Sequence, residues 1–364
     1  MKRFGYIYEK IYTRENISAA IDCASCKKKK RRAVRRVLAN REDCIDEIQH
    51  LLITQTYRPS PYREKIICEG ANRKERHILI PHFYPDQIIQ WAILLQIIPV
   101  LMKGMDPFCC GSVPVRGRDY ARRYIQRWLE HDPRGTRYCL KLDVHHFYPS
   151  IRHDQLKAML RRKIKDEKLL RLLGLIIDSA PGLPIGNVTS QWLANFYLQS
   201  FDHFVREQLH VKYYVRYMDD MVIFSPNKRK LGRVKEAIAE YLGSLGLKLN
   251  PKWQKFKLDS RGLDFLGYRF FHNRTVLRRT VMLRISRKVR RTAKKKTWTA
   301  HNCEAIISYL GWTKSSDSYG FYRQWVKPYI KLKKIKGVIR RESIKHRDAG
   351  KSIPDLTRRE KLHR

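Results

Sequence analysis

The sequence predicts an α+β fold, and three stretches of the chain carry that prediction. Residues 214–224 hold two runs of β-branched and aromatic residues around Met218-Asp219-Asp220, which is typical of two antiparallel strands joined by a tight turn. Residues 64–80 show a second hairpin pattern, with Gly70-Ala71-Asn72 as the turn. Residues 86–102 instead place apolar side chains at helical spacing. Asn187 is expected to cap a helix that runs past Phe204, and residues 247–250 and 265–271 are predicted as short strands. Strand hairpins and helices in one chain indicate a mixed fold.

The charge of the chain indicates a polyanionic partner. Its 364 residues include 77 Lys and Arg against 34 Asp and Glu, which gives a net charge of +43 and favours nucleic acid. The N-terminal region predicts helices and contains a dense cationic run, here called the basic run: Lys28, Lys29, Arg31, Arg32 and Arg35. Two interpretations stay open for it, a solvated helix face and a phosphate-binding surface. The net charge favours the second.

Three features argue against a membrane or exported protein. No apolar run approaches the length needed to span a bilayer. The start, Met1-Lys2-Arg3, lacks an apolar signal core. Eight cysteines are scattered along the chain, which fits reduced thiols better than a disulfide framework. We therefore expect a cytoplasmic protein without a membrane partner.

A third acidic residue adds chemistry to the Met-Asp-Asp hairpin. The strand predicted for residues 138–144 turns its apolar side chains to one face and Asp143 to the other. Taken alone, Asp219-Asp220 is equally well explained as a surface turn, in which Asp is common. Together with Asp143, these acids form a carboxylate set that suits Mg²⁺. Two such ions, about 3.5–4 Å apart, are what metal-assisted phosphoryl transfer needs.

Several motifs together resemble the reverse transcriptase family. Three segments occur in the order found there: Lys141-Leu142-Asp143-Val144 with Phe147-Tyr148, Pro184-Ile185-Gly186 with Ser190-Gln191, and Tyr217-Met218-Asp219-Asp220. Other segments resemble the family's finger, palm and primer-grip motifs: residues 76–81 with Asp86, Arg116-Gly117-Arg118, Leu249-Asn250 and Phe265-Leu266-Gly267. The resemblance runs from about Tyr57 to Tyr268. Over this range the chain is similar to the group II intron type of bacterial enzyme.

This resemblance implies a right-hand polymerase fold with fingers, a palm made of an antiparallel sheet with packed helices, and a small helical thumb. The expected segments are a basic helical N-terminal extension (1–55), fingers (56–135), a palm (136–272, with a finger insertion at about 152–180), a helical thumb (273–340) and a basic tail (341–364). The tail is polar and charged, and we expect it to be disordered without RNA.

The resemblance also implies a role for each matching residue. The metal ligands would be Asp143, Val144, Asp219 and Asp220, with the three acids as the catalytic residues. The incoming dNTP would contact Lys74, Arg76, Arg116, Phe147, Tyr148, Ile185, Gly186, Gln191 and Lys252, with Lys255 as the alternative to Lys252. Tyr148 matches the aromatic gate that rejects ribonucleotide 2′-hydroxyls. Leu266 and Gly267 would form the primer grip, and the basic run would bind nucleic acid.

Two positions indicate a subfamily. Most reverse transcriptases carry Gln-Gly followed by Ser-Pro, whereas this chain has Ile185-Gly186 followed by Ser190-Gln191. These forms look like the reverse transcriptases of diversity-generating retroelements, and Gly311-Trp312 resembles that group's thumb region. The resemblance implies error-prone copying opposite template adenines. Replacing an amide by Ile185 removes a hydrogen-bond donor and acceptor beside the nucleotide, so we expect base selection to loosen.

The implied reaction is RNA-templated DNA synthesis from dNTPs with two Mg²⁺ ions, for which Mn²⁺ can substitute. The implied partners are a structured retroelement template RNA, the RNA/DNA hybrid and a small basic accessory variability protein that forms an oligomer. Two alternatives stay open. One is a retron, group II intron-like or phage-defence reverse transcriptase, against which Gln191 in place of proline argues. The other is a catalytically silent RNA-binding relative, which the three acids disfavour.

Overall fold

The structure is a computed structural model that describes residues 3–69 and 74–348. The turn predicted at Gly70-Ala71-Asn72 and residues 349–364 of the predicted tail lie outside the described residues. Helices and antiparallel strands both form, which confirms the α+β prediction.

The N-terminal region is helical, as predicted. It contains α1 (Tyr8–Ile11), α2 (Arg14–Ser25), α3 (Arg32–Ala39) and α4 (Arg41–Ile53). Thr13 caps α2, because its hydroxyl accepts a hydrogen bond from the Asn16 main-chain N–H. Helix α3 buries Val34 and Val37 and exposes its arginines, as an amphipathic helix does.

A two-stranded hairpin follows the N-terminal helices. β1 (Arg63–Glu69) and β2 (Lys74–Ile80) pair antiparallel, in a register that sets Arg63 opposite Ile80. The predicted hairpin at residues 64–80 is therefore confirmed.

A long apolar helical stretch comes next. A turn at Phe83–Gln87, in which Tyr84 takes extended main-chain values (φ −119°, ψ 132°), leads into α5 (Ile88–Met102). The combined stretch, Phe83–Met102, is long and apolar enough to cross a membrane by length and composition alone, and 56% of its apolar window is buried inside the protein. The expectation that no run reaches this length was wrong, because the turn at Phe83–Gln87 extends the apolar stretch of α5. In this fold α5 packs against α2 as a core helix.

The remaining elements lie between residues 118 and 348. They are α6 (Arg118–His131), β3 (Tyr138–Asp143), α7 (Phe147–Ser150), α8 (His153–Lys163), α9 (Glu167–Ile177), α10 (Val188–Tyr197), α11 (Gln199–His203), a π-helical turn (Phe204–Gln208), β4 (Tyr213–Tyr217), β5 (Asp220–Ser225), α12 (Lys228–Ser244), β6 (Gln254–Lys257), α13 (Leu258–Arg261), β7 (Leu263–Phe265), β8 (Tyr268–Phe270), β9 (Thr275–Leu277), α14 (Arg279–Ala293), α15 (Ala300–Lys314), α16 (Tyr319–Trp325), a 3₁₀ turn (Lys327–Tyr329) and α17 (Leu332–Asp348).

The sheet that carries the acidic residues has four strands in the order β4-β5-β3-β6. β4 and β5 pair antiparallel, with Tyr217 opposite Asp220, so Met218 and Asp219 form the turn between them. Because β3 lies beside β5, Asp143 at the end of β3 can meet that turn. A second sheet, β7-β8-β9, has three antiparallel strands.

The helix predicted to run from Asn187 past Phe204 is interrupted. It divides into α10, α11 and the π-helical turn, because the Leu198 main chain leaves helical values (φ −92°, ψ 6°). Asn187 occupies the predicted capping position but makes no capping hydrogen bond. Its amide nitrogen instead donates to the Tyr62 hydroxyl at 2.8 Å.

Two predicted strands also differ from the structure. The predicted strand at residues 247–250 is reduced to a single bridge between Leu249 and Val144. The predicted strand at residues 265–271 is split into β7 and β8. Leu266 (φ 51°) and Gly267 (φ 87°) take left-handed values and turn the chain there.

The chain forms two compact units, and each is built from separate segments. The first contains the chain up to Gly117, Leu140–Phe224 and Lys228–Lys255. The second contains Arg118–Cys139, Ser225–Asn227 and the chain from Phe256 onward. The predicted fingers, palm and thumb were contiguous segments, and their boundaries stay a prediction.

Candidate active site

The β4–β5 turn is held in an unusual main-chain conformation. Met218 has φ 58°, a left-handed value that few residues other than glycine adopt. The loop before α6 lies directly against it: a Cβ added to Gly111 would be 2.6 Å from the Met218 nitrogen. Only a residue without a side chain fits this approach, so Gly111 sets how closely the loop can support the turn.

Asp143 and Asp219 lie within hydrogen-bonding contact in the first unit. Burial raises the pKa of Asp219 to about 6, and the charges of Asp143 and Asp220 and a hydrogen bond with Asp143 act in the same direction. Two half-buried carboxylates in contact repel when both are ionised. Because a carboxyl with a pKa of about 6 is mostly ionised at neutral pH, a bound cation would relieve this repulsion there.

Asn250 orients the first of these acids. Its Nδ2 donates to Asp143 Oδ2 at 2.8 Å, and its main-chain N–H donates to the Asp143 carbonyl, also at 2.8 Å. The Lys252 N–H in turn donates to Asn250 Oδ1 at 3.0 Å. Asn250 belongs to a segment that resembles a palm motif, and its sequence position predicted no role for it at the site. Its position after α12 could not reveal that it folds back onto β3.

A fully buried ion pair lies beneath the turn and was not predicted. Arg216, on β4, has no exposed side-chain surface and makes two hydrogen bonds to Asp202, at 2.7 and 2.5 Å. The Tyr214 hydroxyl also donates to Asp202, at 2.6 Å. The signal in the sequence was a charged residue within the apolar run of β4, because a buried charge needs a partner.

The acids fit a divalent cation as a pair. Among residues 3–69 and 74–348, no three Asp, Glu, His or Cys side chains form a group that could hold a metal ion. Asp143 and Asp219 nevertheless offer carboxylate oxygens in mutual contact, and a cation would relieve their repulsion. Val144 is apolar and 2% exposed, so it can contribute only its main-chain carbonyl. Metal ligation by Asp143, Val144, Asp219 and Asp220 stays a prediction.

The predicted aromatic gate lies beside the paired acids. Burial raises the pKa of the Tyr148 phenol above its usual range, and the charge of Asp219 adds to this effect. The rings of Phe147 and Tyr148 meet edge to face at 5.5 Å. The Leu183 N–H donates to the Tyr148 carbonyl at 2.9 Å, so the loop before α10 fixes the main chain of the gate.

The loop that carries Ile185 also packs on the β1–β2 hairpin. A Cβ added to Gly186 would be 1.8 Å from the Leu79 carbonyl oxygen on β2. The same loop therefore contacts the main chain of Tyr148 on one side and β2 on the other. Ile185 is half-buried, whereas Gln191 lies exposed on α10.

The cationic residues predicted to contact the nucleotide differ from one another in exposure and in hydrogen bonding. Arg76 is exposed on β2, and the side chain of Lys74 lies outside the described residues. Arg116 Nη1 donates to the Asp106 carbonyl at 2.6 Å, which ties it to its own loop. Lys252 is exposed, and Lys255 is partly buried beside α12. The choice between these two lysines stays open.

The predicted primer grip is a tight turn in the second unit. A Cβ added to Gly267 would be 2.4 Å from the Trp312 ring. That ring stacks on Tyr268, with 5.4 Å between the ring centroids, and the Arg118 guanidinium lies 3.5 Å from its centre. The aromatic side chain of α15 thus fixes the turn at Leu266 and Gly267.

The basic run divides into two parts in the structure. Four of its members are exposed: Lys29, Arg31, Arg32 and Arg35. Lys28 is partly buried, and its Nζ donates to Gln87 Oε1 at 2.9 Å. Burial and the nearby Arg31 charge lower the pKa of Lys28.

Helices packed with a sheet whose hairpin turn carries paired acids define the palm of a right-hand polymerase. Residues 73–270 match the family described as reverse transcriptase (RNA-dependent DNA polymerase). The match covers more than half of the chain, and the chain therefore belongs to the reverse transcriptase family.

Several curated relatives are similar over part of the chain. Protein YkfC of Escherichia coli K12 is 27% identical over 270 residues, which cover 62% of this chain and 70% of YkfC. The group II intron-encoded protein LtrA of Lactococcus lactis subsp. cremoris is 28% identical over 183 residues, 47% of this chain and 30% of LtrA. The retron Ec73 reverse transcriptase of Escherichia coli is 27% identical over 168 residues, 41% of this chain and 53% of that enzyme. The alignments thus span less than two thirds of LtrA and of the retron enzyme.

Telomerase is among the similar solved structures. The apo telomerase of Candida tropicalis has a TM-score of 0.47 and 12% identity, and the alignment covers 73% of this chain and 60% of that one.

Proposed function

We propose that this chain copies a retroelement template RNA into cDNA, with Asp143 and Asp219 as the central metal ligands and Asp220 and the Val144 carbonyl completing the site. The contact between the Asp143 and Asp219 carboxyl groups carries this proposal. Two bound Mg²⁺ ions, or Mn²⁺ in their place, would activate the primer 3′-oxygen and stabilise the leaving pyrophosphate.

The residues around the acids have distinct tasks in this proposal. Asn250 keeps the Asp143 carboxylate oriented, since it donates to Oδ2 at 2.8 Å. Tyr148 lies next to the acids and would exclude a ribonucleotide 2′-hydroxyl by its ring. Gly186 lets the loop of Ile185 approach β2, where Arg76 would contact the triphosphate.

Primer extension on a homopolymer RNA tests the catalytic assignment. Wild-type protein should make DNA from dNTPs, and Asp219→Asn should reduce the rate by at least a thousandfold, because it removes a ligand that the transition state needs. Asp154→Asn is the matched control, because Asp154 is an exposed acid paired with Arg152. DNA synthesis by Asp219→Asn at the wild-type rate would refute the metal assignment.

We further propose that copying is error-prone opposite template adenines and serves targeted sequence diversification. Ile185 supports this proposal, because a half-buried apolar side chain offers no hydrogen bond where the family usually has an amide. Sequencing cDNA from a defined template should show substitutions concentrated at adenines. Ile185→Asn should reduce them, whereas Ile185→Leu, which stays apolar, should not. Faithful copying at every template base would contradict the proposal of error-prone copying opposite adenines.

A retron or group II intron-like role is the second candidate, because LtrA and the retron Ec73 enzyme are among the similar proteins. The genomic neighbourhood separates the two. A nearly duplicated repeat pair that differs at adenines supports diversification, and a structured intron or retron RNA beside the gene supports the alternative. In the first case we propose a small basic oligomeric accessory protein as partner, and cytoplasmic action on the RNA/DNA hybrid.

A further inference from the structure

Arg216, which is paired with Asp202 in the core, uses all of its hydrogen-bond donors. A guanidinium has five N–H donors. Those of Arg216 reach both Asp202 oxygens (2.7 and 2.5 Å), Asn195 Oδ1 (3.1 Å), Cys109 Sγ (3.2 Å) and the Met218 carbonyl (2.9 Å). Every donor is used, and one of them bonds to the turn that carries Asp219.

The same network reaches the turn from a second side. Asn195 accepts from Arg216 and donates through Nδ2 to the Gly111 carbonyl at 2.7 Å. Gly111 lies against the Met218 nitrogen, where a Cβ would come to 2.6 Å. The Met218 carbonyl is therefore bonded by Arg216 itself. The Met218 nitrogen is packed against Gly111, whose carbonyl is bonded by Asn195, a partner of Arg216.

A simpler explanation is that the pair only stabilises the core. Buried ion pairs are poor stabilisers, because the cost of removing two charges from water offsets most of their attraction. Apolar side chains of similar size would fill the same space. What they could not do is hold a main-chain carbonyl at a left-handed residue in a fixed direction.

We propose that Arg216, held by Asp202, is a positioning residue that fixes the Met218-Asp219 turn so that Asp219 meets Asp143 in metal-binding geometry. This inference rests on the proposed metal role of Asp143 and Asp219. Arg216 touches neither acid and acts through the Met218 carbonyl. Asp202 locks the guanidinium in the required orientation, and Asn195 extends its hold to Gly111.

The chain offers a matched control, a second Arg–Asp pair that bonds to the chain around the start of the same strand. Arg206 Nε donates to Asp106 Oδ2 at 3.1 Å, and Arg206 also donates to the carbonyls of Val211, Lys212 and Tyr214. This second pair holds the start of β4 and makes no bond to Met218. The test compares two double variants that each remove both charges: Arg216→Met with Asp202→Asn, and Arg206→Met with Asp106→Asn.

Mn²⁺ binding, followed by electron paramagnetic resonance, is the readout that separates positioning from stability. Thermal unfolding first shows which variants are folded. We expect the Arg216/Asp202 variant to bind Mn²⁺ at least tenfold more weakly and to need at least tenfold more Mg²⁺ for half-maximal primer extension. The Arg206/Asp106 variant should match wild type in both. A folded Arg216/Asp202 variant with wild-type Mn²⁺ affinity would overturn the inference.

A conservative variant covers the case in which the double variant does not fold. Arg216→Lys keeps the charge beside Asp202 but cannot span Asp202, Asn195 and Met218 together. It should show the same loss of Mn²⁺ affinity, and wild-type affinity would again overturn the inference. Failure of the underlying metal assignment looks different: wild-type protein would then bind Mn²⁺ no better than Asp219→Asn.

Discussion

Asp219 shows at the scale of one residue how a predicted metal ligand lowers the stability of the fold. Its pKa is raised from 3.8 to about 6 by burial and by the neighbouring acids. Ionising this carboxyl is therefore harder in the folded protein than in the unfolded chain. The ionised Asp219 carboxylate therefore lowers the stability of the fold, as expected at a site that binds a cation.

The pH dependence of stability follows from the direction of this shift. A raised folded pKa means that the native state holds the proton more tightly, so stability falls as pH rises from about 4 to about 6. Raising the pKa of Asp219 from 3.8 to about 6 lowers the free energy of unfolding by about 3 kcal/mol at neutral pH. In EDTA, Asp219→Asn should therefore be about 2–3 kcal/mol more stable than wild type at pH 7.5 and no more stable below pH 4.

Urea unfolding in EDTA at both pH values checks this prediction. Asp154→Asn is the control of opposite sign, because the Arg152 hydrogen bond lowers the pKa of Asp154. Removing that acid should not stabilise the protein at pH 7.5. Equal stabilities of wild type and Asp219→Asn at pH 7.5 would show that ionising the Asp219 carboxyl does not lower the stability of the fold.

At the scale of elements, the loop before α10 connects Tyr148, the predicted aromatic gate, with the β1–β2 hairpin. The Leu183 N–H bonds to the Tyr148 carbonyl at 2.9 Å, and Gly186 lies against the Leu79 carbonyl. A displacement of this loop would therefore reach both Tyr148 and β2. The resemblance predicts a role for Ile185, one residue of this loop, and the packing of Gly186 against β2 locates the loop.

Gly186→Ala tests this connection. The new Cβ would be 1.8 Å from a main-chain oxygen, so either the loop or β2 must shift. We expect a loss of about 1–3 kcal/mol in stability, as for other overpacked sites, and a dNTP KM raised at least fivefold in primer extension.

Gly243→Ala is the matched control for this substitution. Gly243 lies in α12, and no heavy atom is within 4 Å of an added Cβ. This variant should gain about 0.5–1 kcal/mol, because alanine favours the helix, and its KM should be unchanged. An unchanged KM in Gly186→Ala would show that the loop does not couple β2 to the site.

Elements also show where sequence patterns fail. The apolar periodicity after Asn187 predicted one helix, but a local change at Leu198 divides it. The pattern at residues 265–271 predicted one strand, but left-handed values at Leu266 and Gly267 make a turn. Periodicity reports which side chains are buried. It does not report single main-chain angles, which tertiary contacts such as Trp312 against Gly267 select.

At the scale of the whole molecule, a net charge of +43 makes binding to nucleic acid dependent on salt. Each phosphate neutralised on a single strand contributes about −0.7 to the slope of log K against log salt. The structure divides the basic run into exposed side chains and Lys28, whose Nζ is bonded to Gln87.

We therefore expect replacement of the four exposed members by Gln to reduce the salt slope by about 2–3, and Lys28→Gln to change it little. The four are Lys29, Arg31, Arg32 and Arg35. Filter binding of a single-stranded RNA between low and high salt measures the slope. An unchanged slope in the fourfold variant would favour the solvated helix face.

The sequence alone determined the class of protein, because charge, strand alternation and motif order are properties of the chain itself. It placed Asp143 on a strand and Asp219 in a hairpin turn, and the family match agrees with the class. Only the tertiary structure showed that Asn250 orients Asp143 and that Arg216, Asp202 and Asn195 hold the turn. These contacts join residues that are far apart in sequence, and no local pattern records which distant polar group satisfies a buried charge.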